Sequence, residues 1–323
     1  MSDRATVEFL AGVPLLQGGD EADLMALAPL LRRRRVAATE VLWRQGDVAR
    51  EMVFVVEGAV SVFLHAPGGQ ELEIATAGRG EMLGELALLD GGEHTMTVRA
   101  VAPSTVLVLS RVDFTALVTA PGPWPFEVKR RLATLLTERH RSQLRQLGAS
   151  IGTEEAGSPD DDAPAPADLK ACGPPDSRYL RRMATFHDFD SLALWGFLTS
   201  GTYARCPAER TLLVEGAPAT ACYLTINGAV DKVLIRGDRR IRVGLAGPGK
   251  AFGYESLIDG EPSPVTAITR ERVLLLVIAS GPFRQLFAGE DAISRVFLDV
   301  IQRDLVSTLR QTLRPQARLA ASL

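Results

Sequence analysis

The sequence has few of the residues on which metal sites, disulfide frameworks and many catalytic centres depend. It contains three cysteines and four histidines in 323 residues. The cysteines are odd in number and lack metal-site spacing, and the histidines are scattered singly with no Ser-His-Asp or Cys-His arrangement. These residues are Cys172, Cys206, Cys222, His65, His94, His140 and His187. The sequence therefore predicts a protein that is not an enzyme and holds no metal or cofactor.

The sequence also lacks long apolar runs and a strong excess of one charge. No apolar run approaches the roughly 18 residues of a membrane span, and the N-terminus, with Asp3, Arg4 and Glu8, lacks a signal peptide's layout. The net charge of -3 gives no general reason to bind nucleic acid. The arginines at 32–35 indicate a solvated strand edge, with a phosphate-contacting patch as the alternative. We expect a cytoplasmic protein without membrane or direct nucleic-acid binding.

An internal repeat is the main feature that is present. Residues 84–98 and 252–266 each contain a glycine, a short apolar turn that can open a helix, an Asp-Gly turn and a return into a Thr/Val strand. Gly84 and Gly253 are 169 residues apart. An earlier turn glycine precedes each of them, Gly58 by 26 residues and Gly228 by 25. This matched spacing predicts two homologous domains.

Each copy has the same predicted order of helices and strands. In the first copy a short amphipathic helix at 20–31 precedes closely spaced short strands, which predict an antiparallel roll or sandwich. The predicted strands are 53–56, 60–64, 72–75, 96–101 and 106–109. After Pro125 an amphipathic helix of more than 20 residues either covers its own barrel or pairs with another protomer. The second copy has a helical segment at 177–200, strands from 211 to 278, and a closing helix that Pro315 breaks.

Composition sets the predicted domain boundaries. Residues 149–177 lose periodicity and are rich in Gly, Ser, Pro, Ala and acidic residues, which predicts a flexible, self-repelling linker. The first domain is then 1–148 and the second 178–323. The fold class is mainly β with flanking α-helices, in two tandem domains.

Three motifs resemble those of the cyclic nucleotide-binding domain family. They are the Gly46-Asp47 turn, the hairpin at 54–62, and residues 84–88, which are similar to the family's phosphate-binding cassette. The resemblance implies two β-jelly-roll domains in tandem, each an eight-stranded roll flanked by helices. It also implies a ligand between the cassette and the roll, with its phosphate on the amides of a short helix. In the family a Glu after the Gly accepts the ribose hydroxyl, and an Arg ten residues after that Gly pairs with the phosphate.

Carried over to the first copy, the family pattern is kept in part. His94 stands where the Arg is expected, so a charge-assisted contact is replaced by a weaker one, with a roughly ten- to hundredfold loss of affinity. Protonation of His94 would restore part of this contact, so binding should tighten at lower pH. The predicted ligand-binding residues are Gly84, Glu85, Leu86, Ala87, His94, Thr95 and Met96.

The second copy departs further from the family pattern. Tyr254 replaces the ribose-binding Glu, Ser263 replaces the Arg, and Pro264 removes an amide donor. We expect no measurable binding of ordinary cyclic mononucleotides there; the alternative is a different ligand whose base stacks on Tyr254. This degenerate site comprises Gly253, Tyr254, Glu255, Ser256, Ser263 and Val265.

Two functional hypotheses remain open. In the first, the protein is a non-enzymatic regulator that senses cAMP, cGMP or a related phosphate ligand through domain 1 and relays it through its C-terminal helices. In the second, both pockets have lost ligand binding, and the chain is a dimerisation or docking scaffold. Either predicts a homodimer or a partner protein bound through the long amphipathic helices. No helix-turn-helix follows either roll, which argues against direct DNA binding.

Two further features have structural interpretations. Residues 181–185 are similar to the inhibitory segment of kinase regulatory subunits, but a solvated helical face with Leu180 and Met183 on its buried side explains them better. Trp43 and Trp195 are interpreted as packing residues.

Overall fold

The computed structural model describes residues 3–65, 69–151, 169–181, 183–187, 189–237 and 239–320. The chain forms two compact units, Met1–Leu132 with Gln316–Leu323, and Ala133–Pro315. The division falls inside a long helix, before the predicted domain end at residue 148. Most of the predicted linker, residues 152–168, lies outside the described residues, but its described ends are structured, since 149–151 end a helix and Lys170–Cys172 form a paired strand.

The described residues of the first unit form two antiparallel four-stranded sheets. Their strands are β1 (Arg32–Val36), β2 (Val41–Trp43), β3 (Glu51–Glu57), β4 (Val60–His65), β5 (Glu71–Ala77), β6 (Met82–Leu83), β7 (Thr97–Ala100) and β8 (Ser104–Ser110). The strand orders are β1-β8-β3-β6 and β2-β7-β4-β5. Inward-facing, mostly β-branched residues of both sheets form one apolar core, which includes Val53, Val62, Val98 and Val106. The five predicted strands are all confirmed.

Helices flank this roll. They are α1 (Asp3–Ala11), α2 (Glu21–Leu27), α3 (Glu85–Leu89), α4 (Arg111–Thr119) and α5 (Pro123–Ile151), whose second half belongs to the second unit. A capping box between Asp20 and Asp23 begins α2, and the Ser110 hydroxyl caps α4. The predicted helix at 20–31 is α2 with the 3₁₀ turn Ala28–Leu30, and α5 is the long helix predicted after Pro125.

The second unit repeats this architecture. Its strands are β9 (Lys170–Cys172), β10 (Thr202–Cys206), β11 (Thr211–Leu213), β12 (Ala221–Asn227), β13 (Val230–Arg236), β14 (Arg239–Ala246), β15 (Ala251–Phe252), β16 (Thr266–Thr269) and β17 (Val273–Ala279). Its further helices are α6 (Ser177–Arg181), α7 (Ser191–Leu198), α8 (Glu255–Asp259), α9 (Ser280–Ala288) and α10 (Ala292–Ala320). The sheet orders are β15-β12-β17-β10-β9 and β11-β16-β13-β14, so only β9 is added to the first unit's pattern among the described strands.

Even the irregularities of the two rolls coincide. The register shifts between β3 and β8 after Val55, and between β12 and β17 after Thr225. A second matched bulge lies at Val62 and at Lys232. Because bulges are local features that are retained within families, their repetition supports a duplicated fold. The predicted fold class, two jelly rolls in tandem with flanking helices, is confirmed.

Three expectations for the second unit differ from the structure. Its first roll strand, β10, begins at Thr202 and not at 211, and the predicted helical segment 177–200 is split into α6, α7 and a 3₁₀ turn. The predicted break at Pro315 is wrong, since α10 continues to Ala320. The flanking Thr312, Leu313 and Gln316 are buried, so packing can offset the roughly 3 kcal/mol that an interior proline costs.

Side chains outside the rolls follow most of the remaining expectations. Leu180 and Met183 are buried, but α6 ends at Arg181, so only Leu180 lies on a buried helical face. The arginine run forms β1 at a sheet edge, where Arg34 pairs with Glu40. Trp43 is buried in the first roll, but Trp195 is 42% exposed on α7, so its interpretation as a packing residue holds only in part.

Candidate ligand-binding site

The first cassette, residues 84–96, begins at a glycine that the fold requires. Gly84 has a left-handed φ of 97°, and a Cβ at this position would lie 3.1 Å from the carbonyl oxygen of Glu51. The helix α3 starts at the next residue, Glu85, which is fully buried. Leu86 and Ala87 follow in the first turn of α3, where backbone N–H groups have no partner within the helix. This is the local geometry that the resemblance implies.

The first cassette ends at His94, whose ring stacks on an indole. The His94 and Trp43 rings are 4.3 Å apart between centroids and 13° from parallel. The His94 backbone is tied to the Gly46-Asp47 turn: its N–H donates to the carbonyl of Asp47 at 2.9 Å, and its carbonyl accepts from Gly46 at 2.8 Å. The structure therefore brings His94 to the turn that the sequence singled out, with one ring face covered by Trp43.

The neighbours of His94 serve the roll as well as the cassette. Met96 packs against the core cluster that contains Trp43 and Leu83. Thr95 is half-buried beside it. The sequence interpretation of Trp43 was packing alone. Its position three residues before Gly46 could have indicated that it lies near the cassette.

The second cassette, residues 253–265, also begins at a left-handed glycine. Gly253 has a φ of 80°, and a Cβ there would lie 2.9 Å from the carbonyl oxygen of Ala221. Tyr254 is completely buried, and its hydroxyl donates to Oδ2 of Asp304 on α10 at 2.7 Å. Burial, and then the charges of Asp304 and Glu255, raise the pKa of Tyr254 well above its usual value. The ring is thus held in the protein interior by α10.

Glu255 of the second cassette faces α5. Its Oε1 lies 3.4 Å from Nδ1 of His140, and the other ring nitrogen of His140 lies 3.2 Å from the Thr312 hydroxyl. Burial lowers the pKa of His140 below its usual value. Burial opposes ionisation of Glu255 too, but its contact with His140 and the charge of Lys232 outweigh that effect and lower its pKa.

The remaining polar residues predicted for the second cassette are two buried serines. Ser263 is buried, and its hydroxyl donates to the carbonyl of Val265 at 2.8 Å. Its backbone N–H donates to the carbonyl of Ala217 at 2.8 Å. Ser256 is also buried. The position expected to hold an arginine therefore carries a hydroxyl that is turned to its own loop.

Aromatic rings fill the second roll at the place where the first has aliphatic side chains. Tyr223 on β12 pairs with Phe252 on β15, and their rings stack 5.0 Å apart between centroids. The matching pair in the first roll is Val53 and Leu83. The second roll thus has stacked rings where the first has an aliphatic pair, while Leu213 stands beside Gly253 where Trp43 stands beside Gly84.

A cavity of about 700 Å³ lies in the second unit beside the cassette. Its charged lining consists of Glu138, Arg141, Arg145, Glu215, Arg236, Asp259 and Glu261. Arg141 donates to both carboxylate oxygens of Asp259 and to the carbonyl of Pro262. Arg236 donates to both carboxylate oxygens of Glu215, at 2.9 and 3.0 Å. These two guanidinium groups already have carboxylate partners, so neither is placed as a free clamp for a phosphate.

Sequence reasoning missed the helix residues that reach the second cassette. They are His140, Arg141, Asp304, Thr308 and Thr312. A signal was present in α10, where Asp304, Thr308, Thr312 and Gln316 recur every four residues and are all buried. A polar stripe with helical spacing on an otherwise apolar helix predicts buried polar partners on a neighbouring element.

Two structural searches of the described residues gave negative results. Within those residues, no three or more His, Cys, Asp or Glu side chains are grouped so as to hold a metal ion. No helix in the described part of the chain has the length and apolar character to cross a membrane.

Comparison with known proteins identifies the repeated unit. The cyclic nucleotide-binding domain family matches residues 33–120 and again residues 204–290. The Cyclic AMP receptor protein of Thermus thermophilus is 33% identical over 147 residues, which are 46% of this chain and 66% of that protein. The cAMP-dependent protein kinase type II regulatory subunit of Drosophila melanogaster is 33% identical over 143 residues, 44% of this chain and 36% of the subunit.

A solved structure resembles the chain over both copies. The regulatory domain of Toxoplasma gondii PKA with cAMP has 18% sequence identity and a TM-score of 0.36, over 88% of this chain and 91% of that one. The chain spans between 26% and 66% of the length of the first curated relatives that it matches.

Proposed function

Since the chain belongs to the cyclic nucleotide-binding domain family, we propose that it is a non-enzymatic regulatory protein whose first domain senses a cyclic nucleotide or a related phosphate ligand. The observation that carries this proposal is the first cassette, in which left-handed Gly84 is followed by buried Glu85 and the first turn of α3. cAMP and cGMP are the ligands to test first. The proposed ligand-binding residues remain Gly84, Glu85, Leu86, Ala87, His94, Thr95 and Met96.

The proposed relay runs through the long helices. The helix α5 continues from the first compact unit into the second, and within the second unit both α5 and α10 contact the second cassette. Movement of α5 that accompanies ligand binding would therefore reach α8 and α10 without a further linker. For such a relay to work, the protein must have two conformations that differ in the position of α5, and the ligand must bind them with different affinity.

The proposed setting is the cytoplasm, without direct binding to nucleic acid. All three cysteines are free, which fits a reducing compartment. The partner is a second copy or another protein, and its binding depends on the position of the helices.

A ligand-free scaffold is the second candidate, and one specific observation favours it. Trp43 covers one face of the His94 ring, so the residue at the position expected to hold an arginine contributes to packing inside the first roll. In this alternative the two rolls persist as docking or dimerisation modules, and the second site, with Gly253, Tyr254, Glu255, Ser256, Ser263 and Val265, takes no ligand.

Isothermal titration calorimetry of the full chain separates the two candidates. The titrants are cAMP, cGMP and cyclic dinucleotides, and the matched variant is Glu85→Ala, which removes the proposed ribose acceptor. We expect one binding site per chain in the wild type and a loss of affinity of about tenfold or more in Glu85→Ala. Absence of heat with every titrant, at concentrations up to the millimolar range that weak binding needs, would favour the scaffold.

A further inference from the structure

The second cassette differs from the first at two adjacent positions, and both changes create contacts with helices. Tyr254 stands where the first copy has Glu85, and Glu255 stands where it has Leu86. Tyr254 donates to Asp304 of α10, and Glu255 contacts His140 of α5. Tyr254, which replaces the expected ribose-binding Glu, therefore also binds the cassette to α10.

A third contact holds the end of the cassette helix. Asp90 and Asp259 occupy matching positions, and each accepts a hydrogen bond at 3.0 Å from the backbone N–H two residues later. Asp259 in addition accepts from Nη2 of Arg141 at 2.9 Å, while Nη1 of the same arginine donates to the carbonyl of Pro262 at 2.7 Å. The two copies share this turn, and in the second copy Asp259 is also held by Arg141.

The α5 residues involved lie on one face of that helix. His140 and Arg141 lie four and three residues before Leu144, the spacings at which helical side chains are neighbours, and Leu144 is buried against the cavity that Asp259 and Pro262 also line. The Arg141 and Asp259 side chains are 15% and 12% exposed, and those of His140 and Glu255 are 1% and 3% exposed. One apolar and two polar anchors on a single face are how an amphipathic helix is recognised in a groove.

We propose that the second cassette is a helix-binding site, and that its occupant is the 140–144 stretch of α5 in place of a nucleotide. All the residues of this contact belong to the second compact unit. The site recognises a helix that offers an arginine to Asp259 and a histidine to Glu255, while Asp304 of α10 holds Tyr254 from the other side. The inference goes beyond the proposed function and does not require the first domain to bind a ligand.

Hydrogen exchange of the full chain, read by mass spectrometry at neutral pH without nucleotide, tests the assignment. Arg141→Met removes the anchor, and Arg145→Met is the matched control, because Arg145 lies one turn further along α5, lines the same cavity and is exposed. For Arg141→Met we expect exchange at least about tenfold faster in peptides covering 133–151 and 252–262. Peptides covering β12 and the first cassette should be unchanged, and Arg145→Met should resemble the wild type.

Two results would overturn the proposal. One is equal exchange in Arg141→Met and Arg145→Met; Asp259→Asn, which keeps the turn and the side-chain volume, serves as the second variant if Arg141→Met does not fold. The other is added cAMP or cGMP slowing exchange at 252–262 in the wild type, since the cassette would then take a nucleotide. Failure of the proposed function would be seen in a different experiment, the calorimetric titration, as absence of heat with every nucleotide.

Discussion

Histidine and arginine differ in two ways that matter at position 94. A guanidinium remains charged at neutral pH and offers a planar fork of donors, while a neutral imidazole offers one N–H. Since an arginine can also stack on an aromatic face, Trp43 would accommodate the replacement. We therefore expect His94→Arg to raise the affinity of the first domain for cAMP about tenfold or more, as measured by calorimetry.

Val112→Arg is the control for this experiment, because it adds the same charge on α4 at a residue that is 76% exposed. No gain in His94→Arg over Val112→Arg would mean that the first cassette is closed for another reason. The same argument predicts that the wild type binds more tightly at lower pH, as His94 becomes protonated.

Tyr254 and Tyr203 allow a comparison of two buried hydroxyl groups. Tyr254 donates to the carboxylate of Asp304, while Tyr203 donates to the carbonyl of Leu198 at 2.9 Å. Hydrogen bonds to charged groups are worth about 1.5–3 kcal/mol, and neutral ones about 1 kcal/mol. We expect Tyr254→Phe to lower the free energy of unfolding more than Tyr203→Phe does. Urea titration of the two variants and the wild type measures this difference. Equal losses would indicate that Asp304 does not depend on this donor.

At the scale of elements, α5, α8 and α10 meet through ionisable groups. His140 of α5 is surrounded by Glu255 of α8, Asp304 of α10 and Lys232 of β13. Lys232 is buried, and its Nζ donates to the Thr308 hydroxyl of α10 at 2.6 Å. Polar contacts in the interior specify one arrangement of the helices, because each group left without its partner would cost free energy.

This arrangement makes the stability of the second unit depend on pH. In the folded state the pKa of His140 lies below 6.5 and that of Glu255 lies below 4.5. The unfolded chain therefore takes up both protons first as the pH falls, so acid favours unfolding. We expect slow-exchanging amides of 133–151 and 252–262 to lose protection from pH 6.5 downward, after correction for the intrinsic exchange rate. His140→Gln should flatten the decline just below pH 6.5, and an unchanged profile would contradict this assignment.

At the scale of the whole molecule, assembly through the long helices stays a prediction. From Ser294 to Leu313 every residue of α10 is buried or half-buried within the chain. A dimer would therefore have to use exposed residues of α5, such as Glu138 and Arg145, or another surface. Light scattering of the full chain tests this point, with twice the chain mass of 34.8 kDa expected for a homodimer. A monomeric mass both with and without ligand would contradict the homodimer, and the long helices would then have to bind a different protein.

Much of the architecture is readable from local patterns. Strands such as β3, β4 and β8 are dense in β-branched residues, and the repeated glycines mark the same turns in both copies, so periodicity and spacing identified the rolls. Short elements such as β6 and α3 are too brief for periodicity to find. The continuation of α10 past Pro315 was missed because propensity describes an isolated helix, and burial on both sides of the proline outweighs it.

The sequence by itself determined the duplication, the jelly-roll class and the positions of the two cassettes, because these depend on residue type and spacing along the chain. Only the tertiary structure decided that Trp43 stacks on His94 and that Tyr254 and Glu255 bind α10 and α5. Those partners are separated by 51, 50 and 115 residues. Which side chain satisfies a buried polar group over such a separation depends on how the elements pack, and no local pattern encodes it.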